Sequence, residues 1–318
     1  MKIVNQIRNS GKTLFSFEIL PPLKGGNIEN IYRTIDELLP FSPSFINITY
    51  HREELVYKKH KSGLLERKTV HKRPGTVAIS AAIKYKYSEI EVIPHIICGG
   101  FSKEETENAL IDLHFLGIHN ILVLRGDLPK GLERFVPEQD GHVFAIDLVR
   151  QIMDLNNGIY LDDELQNTTK MDFSVGIAGY PEKHIEAPNL AYDMLFLKQK
   201  IEAGAEYIVT QMFFDNEKYF RFVDECRKNG IQVPIIPGLK PISTLSHLTL
   251  LPRTFHIDIP EKLTEKILKC STNDDVRKVG IEWAIEQAKE LIALGAPVIH
   301  FFTMGKTDNI QQIAKEIF

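Results

Sequence analysis

Four junctions in the chain follow one plan: "FLGIHNILVLRGD", "EAGAEYIVTQMFF", "KNGIQVPIIPGLK" and "ALGAPVIHFFTMG". Each sets a glycine, Gly117, Gly204, Gly230 or Gly295, shortly before an apolar run and after a polar or helix-forming stretch. Glycine suits the left-handed residue that closes a helix. The β-rich run that follows is often apolar on both faces, which suits a parallel strand covered on both sides. The unit is therefore helix, glycine, short turn, buried strand, and few architectures are built by repeating it.

About eight strands are predicted, at 13–19, 45–50, 91–98, 120–126, 172–180, 207–214, 232–238 and 297–303, with helices between them. "SKEETENALIDLHFLG" opens as a capping box, Ser102 with Glu105 three residues on. Its Leu110, Leu113 and Leu116 then form an apolar stripe. "PNLAYDMLFLKQKIEAG" has Pro188 near its first turn and Leu190, Met194, Leu197 and Ile201 along one face. This alternation allows an open doubly wound sheet or a closed barrel. Eight units, with no GxGxxG after the first strand, favour a single-domain (β/α)₈ TIM barrel over 1–318. The units share no fixed period, so this is no solenoid. Segments 51–75, rich in Lys, His and Arg, and 155–171 are expected to be insertions or loops.

The formal net charge of -4, with mixed signs along the chain, argues against a broad nucleic-acid-binding surface. Cys98, Cys226 and Cys270 are far apart and form no CxxC or zinc-type spacing, so free thiols are expected. No apolar run is long enough to span a bilayer, and the N-terminus lacks the pattern of a secretory signal. A cytoplasmic protein without nucleic-acid or membrane partners is expected.

A barrel of this kind places its site at the carboxyl ends of the strands. Those ends supply Glu18, then Asn47, Thr49, Tyr50 and His51, then His95. They continue with Arg125, Gly126 and Asp127, and with Tyr180, Glu182 and His184. Thr210, Gln211 and Asp215 follow, then "IIPGLKP", then Thr303. Taken singly, each has a plain structural explanation. Glu18 before two prolines suits a turn, His95 suits a satisfied core, and Asp193, Phe196 and Lys200 suit a solvated helical stripe. The recurrence of polar groups at one end of nearly every strand points to a site. No metal-ligand cluster, Ser-His-Asp order, Walker motif or kinase motif is present. A barrel enzyme with a carboxylic acid catalyst is as far as these residues lead by themselves.

"FSFEILPP", "INITY", "IPHIIC", "LRGDLP", "GYPEKHIEA", "LKQKIEAGAEYIVTQMFFD" and "IIPGLKPIS" resemble methylenetetrahydrofolate reductase in order and approximate spacing, over about 13 to 304. The resemblance implies a (β/α)₈ flavoprotein that reduces 5,10-methylenetetrahydrofolate to 5-methyltetrahydrofolate. It implies FAD, NADH or NADPH as electron donor, and ping-pong kinetics. It places the chain in one-carbon metabolism and methionine synthesis. Thr49, His95, Arg125, Gly126, Asp127, Tyr180, His184, Asp193 and Lys200 then stand as FAD contacts. Glu18 stands as the general acid, Asp127 as a charge beside the flavin ring, and Gln211 as a folate contact. A homo-oligomer is expected.

Some positions depart from the family pattern. Leu245 stands where many bacterial members have a Phe that stacks on the nicotinamide. Phe144 stands where a flavin-contacting Tyr is common, and His51 and Arg52 replace small residues. The 155–171 segment is longer than in compact members. The chain ends soon after the eighth strand, so no C-terminal regulatory domain is expected. Two other functions compete. A non-flavin lyase or aldolase would use Lys200 or Lys240 as a Schiff-base amine, though neither fits a strand position well. A catalytically silent folate-binding subunit would have no need of Glu18, Asp127 and Gln211.

Overall fold

The four junction glycines all take the left-handed conformation, with φ of +67°, +120°, +81° and +83° at Gly117, Gly204, Gly230 and Gly295. The strand predicted after each one follows. The computed structural model describes residues 1–127 and 134–318. Its strands are β1 (Leu14–Ile19), β2 (Phe45–Ile48), β3 (Glu54–Lys59), β4 (Leu65–Val70), β5 (Glu91–Ile97) and β6 (Asn120–Leu124). Then come β7 (Ser174–Gly179), β8 (Tyr207–Thr210), β9 (Ile235–Ile236), β10 (Gly238–Leu239) and β11 (Val298–Phe302). The helices are α1 (Ile3–Asn9), α2 (Glu29–Leu38), α3 (Thr76–Lys86), α4 (Lys103–Phe115), α5 (Ala145–Asn156) and α6 (Leu190–Glu202). They continue with α7 (Asn216–Lys228), α8 (His247–Phe255), α9 (Glu261–Leu268), α10 (Asn273–Ala293) and α11 (Asp308–Ile317).

Nine parallel strands run in the order β10-β11-β1-β2-β5-β6-β7-β8-β9. Only Pro237 separates β9 from β10, so these two short strands form one bent stave that pairs with β8 on one side and β11 on the other. The ring thereby closes as eight staves. Proline has no N–H for a ladder, which is why the run predicted at 232–238 divides there.

Alternation along the strands sorts the side chains. Phe15, Phe17 and Ile19 of β1 point outward into the core between barrel and helices. Leu14 points inward with Phe45, Ile93, Leu122, Tyr207, Val209, Ile236 and Val298. Ile3 and Val4 of α1 join this inner cluster, so the N-terminal helix plugs the floor of the barrel. The Ile3 N–H donates to Asn120 Oδ1 at 2.8 Å, which fixes the plug. Each fully buried Ile, Leu, Val or Phe contributes about 1.5–3 kcal/mol of transfer free energy. The expected capping box forms at Ser102 and Glu105.

Segment 51–75 is an insertion, as expected, but an ordered one. It contains the antiparallel hairpin β3–β4, paired from Glu54↔Val70 to Lys59↔Leu65 and separate from the barrel sheet. Segment 155–171 is irregular as expected from residue 157 onward, its first two residues being the last of α5. No helix among the described residues is long and apolar enough to cross a membrane.

Candidate functional site

The inner face of β1 reads Leu14, Ser16, Glu18 from floor to mouth, so one strand passes from apolar packing to an acid. Ser16 Oγ lies 2.9 Å from His300 Nδ1 in the barrel interior. Glu18 stands above them, with its side chain 16 % exposed and Oε2 3.6 Å from His95 Nε2. Burial pushes the Glu18 carboxyl up to about 8, against a smaller lowering by the charge of Lys240. Glu18 is therefore protonated at neutral pH, as a proton donor must be. His95 is buried on β5, and burial, then the charges of His300 and His51, drive its ring down to about 3. It is a neutral imidazole, with Asn47 Nδ2 3.5 Å from its Nε2. Among the described residues Asn47 Oδ1 has no hydrogen-bond partner. This buried acceptor is free for a ligand donor.

A second group forms at the ends of β6 and β7. Arg125 Nη2 donates to Glu186 Oε1 at 2.6 Å, and its guanidinium sits 5.1 Å from the Phe135 ring centroid. The Glu186 N–H donates to His184 Nδ1, and the His184 N–H donates to Asp193 Oδ2 at 2.8 Å. The rings of Tyr180 and His184 meet edge-on at 4.7 Å. Tyr180, Asp193 and Lys200 line one narrow cleft with Ala178, Met194 and Phe222. Among the described residues Lys200 Nζ donates only to the Ala178 carbonyl, at 3.4 Å. Burial lowers its ammonium to about 8, partly countered by Asp193. Gly126 has φ +90°, and a Cβ there would stand 3.1 Å from Ile97 Cδ1, so that turn needs glycine. Asp127 is exposed and acts electrostatically on both His51 and Tyr180. Pro129, which follows in the sequence, lies outside the described residues.

The remaining sequence-predicted residues are dispersed around the mouth. Thr49 Oγ1 donates to the Ile19 carbonyl at 3.2 Å. The Gln211 N–H donates to the Gly179 carbonyl, and its Oε1 accepts the Met212 N–H. Phe144 is the exposed N-cap of α5. Leu245 is exposed in the turn before α8, where its N–H donates to Asn273 Oδ1. A further cavity of about 170 Å³ opens between Tyr50, Thr76, His95, Phe101 and Thr106. Among the described residues no group of three or more His, Cys, Asp or Glu could hold a metal ion.

Two residues join the site in roles the sequence did not assign them. Glu186 sits inside the quoted "GYPEKHIEA" but gains its role from Arg125, 61 positions away. Lys240 is buried at the barrel mouth beside Glu18. Lys200 lines the narrow cleft, and Arg125 and Lys200 both act on His184, so this corner of the mouth concentrates positive charge suited to an anionic group.

A family model described as methylenetetrahydrofolate reductase matches residues 3–317. The chain is 32% identical over 321 residues to methylenetetrahydrofolate reductase (NADH) 1 of Arabidopsis thaliana, covering 96% of this chain and 49% of that protein. It therefore spans about half the length of that plant relative. It is 30% identical over 299 residues to 5,10-methylenetetrahydrofolate reductase of Pectobacterium carotovorum subsp. carotovorum, covering 94% of this chain and 88% of that one. Among solved structures, an uncharacterized protein from Clostridium thermocellum, described as binding two copies of 5-methyl-5,6,7,8-tetrahydrofolic acid, matches with a TM-score of 0.59. That match has 16% identity and covers 99% of this chain and 97% of the other, a likeness of fold.

Proposed function

The chain belongs to the methylenetetrahydrofolate reductase family, and from that premise we propose that it reduces 5,10-methylenetetrahydrofolate to 5-methyltetrahydrofolate. The bound cofactor is FAD, the donor is NADH or NADPH, and the work is done in the cytoplasm by a homo-oligomer. The observation that carries this is Glu18, an acid at the mouth of the barrel that burial keeps protonated at neutral pH. The methylene bridge must open to a reactive iminium cation before hydride arrives, and opening needs a proton on the departing nitrogen. Glu18 supplies that proton.

Arg125, His184, Asp193 and Lys200 are the groups that would hold FAD, with Lys200 offsetting the diphosphate and Gly126 and Tyr180 shaping the cleft beside it. When bound, the flavin supplies hydride transfer between the nicotinamide donor and folate, which gives ping-pong kinetics. Asp127 places negative charge where the substrate develops positive charge. Gln211 and the open acceptor Asn47 Oδ1 are hydrogen-bonding groups for the pterin ring.

The test is an absorbance spectrum of purified protein, followed by anaerobic addition of NADH or NADPH and then methylenetetrahydrofolate. Flavin bands that bleach with donor and return with folate are expected. A protein that stays colourless after incubation with FAD would remove the assignment. In Glu18→Gln the donor half-reaction should persist while the folate half-reaction slows by about 10²–10⁴-fold, the usual range for a general acid. Unchanged folate reoxidation would take the acid role from Glu18. The Schiff-base alternative gains one observation, the buried Lys240 with its ammonium lowered to about 8. Borohydride trapping of a carbonyl compound on Lys240, in a protein without flavin, would favour it.

A further inference from the structure

Lys240 is a buried charge that the chemistry above leaves without a task. Barrel register sets its level. Gly238 pairs with His300 and Leu239 with Phe301, so Lys240 stands level with Phe302. Phe302 pairs in turn with Glu18 on the other side of β11. Leu239 packs into the outer core, so the next residue turns to the inner face, as Glu18 does between Phe17 and Ile19. Glu18 and Lys240 thus enter the mouth in one layer, from the two staves that flank β11. This is the way side chains of alternate strands meet inside such barrels.

Lys240 is 8 % exposed, and no hydrogen bond or ion pair among the described residues holds its ammonium. The charged and titratable groups around the pair are few. His95 faces Glu18 from β5 as a neutral ring, with His51 and His300 beyond it. Lys306, after β11, opposes the charge of Lys240, and His247, at the start of α8, is driven down to about 4 by burial and then by Lys240 and Lys306, so it is a neutral ring. His247 uses Nδ1 to accept the Ser243 N–H. Among the described residues Glu18 is the one acidic group that acts on Lys240. A buried ammonium near a second cation is unfavourable unless an anion answers it.

We propose that Lys240 is a positioning residue for the folate step: its charge orients Glu18 in the mouth and sets how firmly Glu18 keeps its proton. The part played in turnover rests on the proposed reaction, whereas the pairing with Glu18 does not. In that step the Glu18 O–H bond breaks, an N–H bond forms on the substrate, and a carboxylate is left facing the ammonium. Water from the open mouth then returns a proton to Glu18. A carboxyl that is held too firmly protonated is a weak acid, and one that ionises too easily is empty when substrate arrives. Lys240 favours the carboxylate and so brings the acid toward the working pH. The two groups titrate as a coupled pair.

Infrared titration of the FAD-loaded protein tests this directly. The protonated-carboxyl band of Glu18, assigned by its loss in Glu18→Gln, is followed with pH in wild type, Lys240→Met and Lys240→Arg. The midpoint should rise by about one pH unit in Lys240→Met, as expected for loss of a nearby opposite charge, and stay near wild type in Lys240→Arg. The alkaline limb of flavin reoxidation by methylenetetrahydrofolate should move with it, while flavin reduction by saturating donor stays unchanged. Lys240→Gln carries the same expectation if the Met variant does not fold. An unmoved midpoint in the folded neutral variant, or an equal rise in Lys240→Arg, would overturn the proposal. A raised midpoint in a protein without folate turnover keeps the pairing and removes the reaction. An unmoved midpoint in a protein with turnover does the reverse.

Discussion

Glu18 and Lys240 show what single positions in this chain carry and conceal. Glu18 alone, before Pro21 and Pro22, suited a turn, and it was legible as a site residue only because polar groups recur at the same end of nearly every strand. Lys240 was legible only as a lysine that fits no strand. Its meaning depends on a register running through β10, β11 and β1, which joins residues more than 200 positions apart. Asp193 and Lys200 share one helical face, as their spacing showed, but that face lines a cleft and not solvent alone. Burial of Glu18 also makes a stability prediction. Its carboxyl sits at about 8 in the fold against an ordinary value of 4.5, so the folded chain holds an extra proton between those values. The favourable contribution is complete below the lower value and is lost as pH rises through the upper one. Glu18→Gln should therefore gain stability relative to wild type between pH 6 and pH 9, measured by urea denaturation at both. A stability difference that stays the same at the two pH values would show that Glu18 is not held protonated.

At the scale of elements, the strands were legible wherever burial on both faces forced an apolar run, as in Ile121–Leu124 and Val298–Phe302. Boundaries were less so. The run 207–214 yields only Tyr207–Thr210 as strand, because the apolar Met212, Phe213 and Phe214 are buried in the loop beyond it. The β3–β4 hairpin left no trace, because β4 is exposed along almost its whole length and has no apolar face to alternate. Its pairing comes from a turn in which the Gly63 N–H donates to the His60 carbonyl, and backbone bonds of that kind make little demand on side-chain pattern. Helix α10 offers a test of packing against propensity. A Cβ at Gly280 would stand 1.9 Å from the Ile242 carbonyl oxygen. Alanine favours a helix interior by about 1 kcal/mol over glycine. Overpacking costs about 1–3 kcal/mol, and here the obstacle is backbone. Gly280→Ala should therefore be destabilised by roughly 2 kcal/mol on balance, read from the denaturation midpoint. Ile242 lies two residues from Lys240, so displacement of that segment should also disturb the folate half-reaction. A stabilised Gly280→Ala would mean that helix and loop are not in contact as described.

The whole molecule is a ring, and its candidate cofactor cleft takes groups from separate parts of it. Arg125 and Gly126 follow β6, Tyr180 and His184 follow β7, and Asp193 and Lys200 project from α6. A ligand that touches all of them binds only the closed barrel, so it stabilises the entire fold by mass action. At 100 times its dissociation constant FAD should add about 2.7 kcal/mol, which is several degrees in Tm for a chain of this length. Lys200 gives that shift a pH dependence. Its ammonium is lowered to about 8 by burial, with Asp193 as the opposing influence. A diphosphate favours the charged form, so FAD binding takes up a proton where free Lys200 is losing one. The FAD-induced rise in Tm should consequently be full at pH 6.5 and shrink as pH passes through 8 toward 9.5. Lys200→Met should show a smaller rise that no longer changes across this range, measured by differential scanning fluorimetry with and without FAD. A rise in Lys200→Met equal to wild type, with the same fall at high pH, would move the diphosphate contact to another residue, with Arg125 the next cation along the cleft.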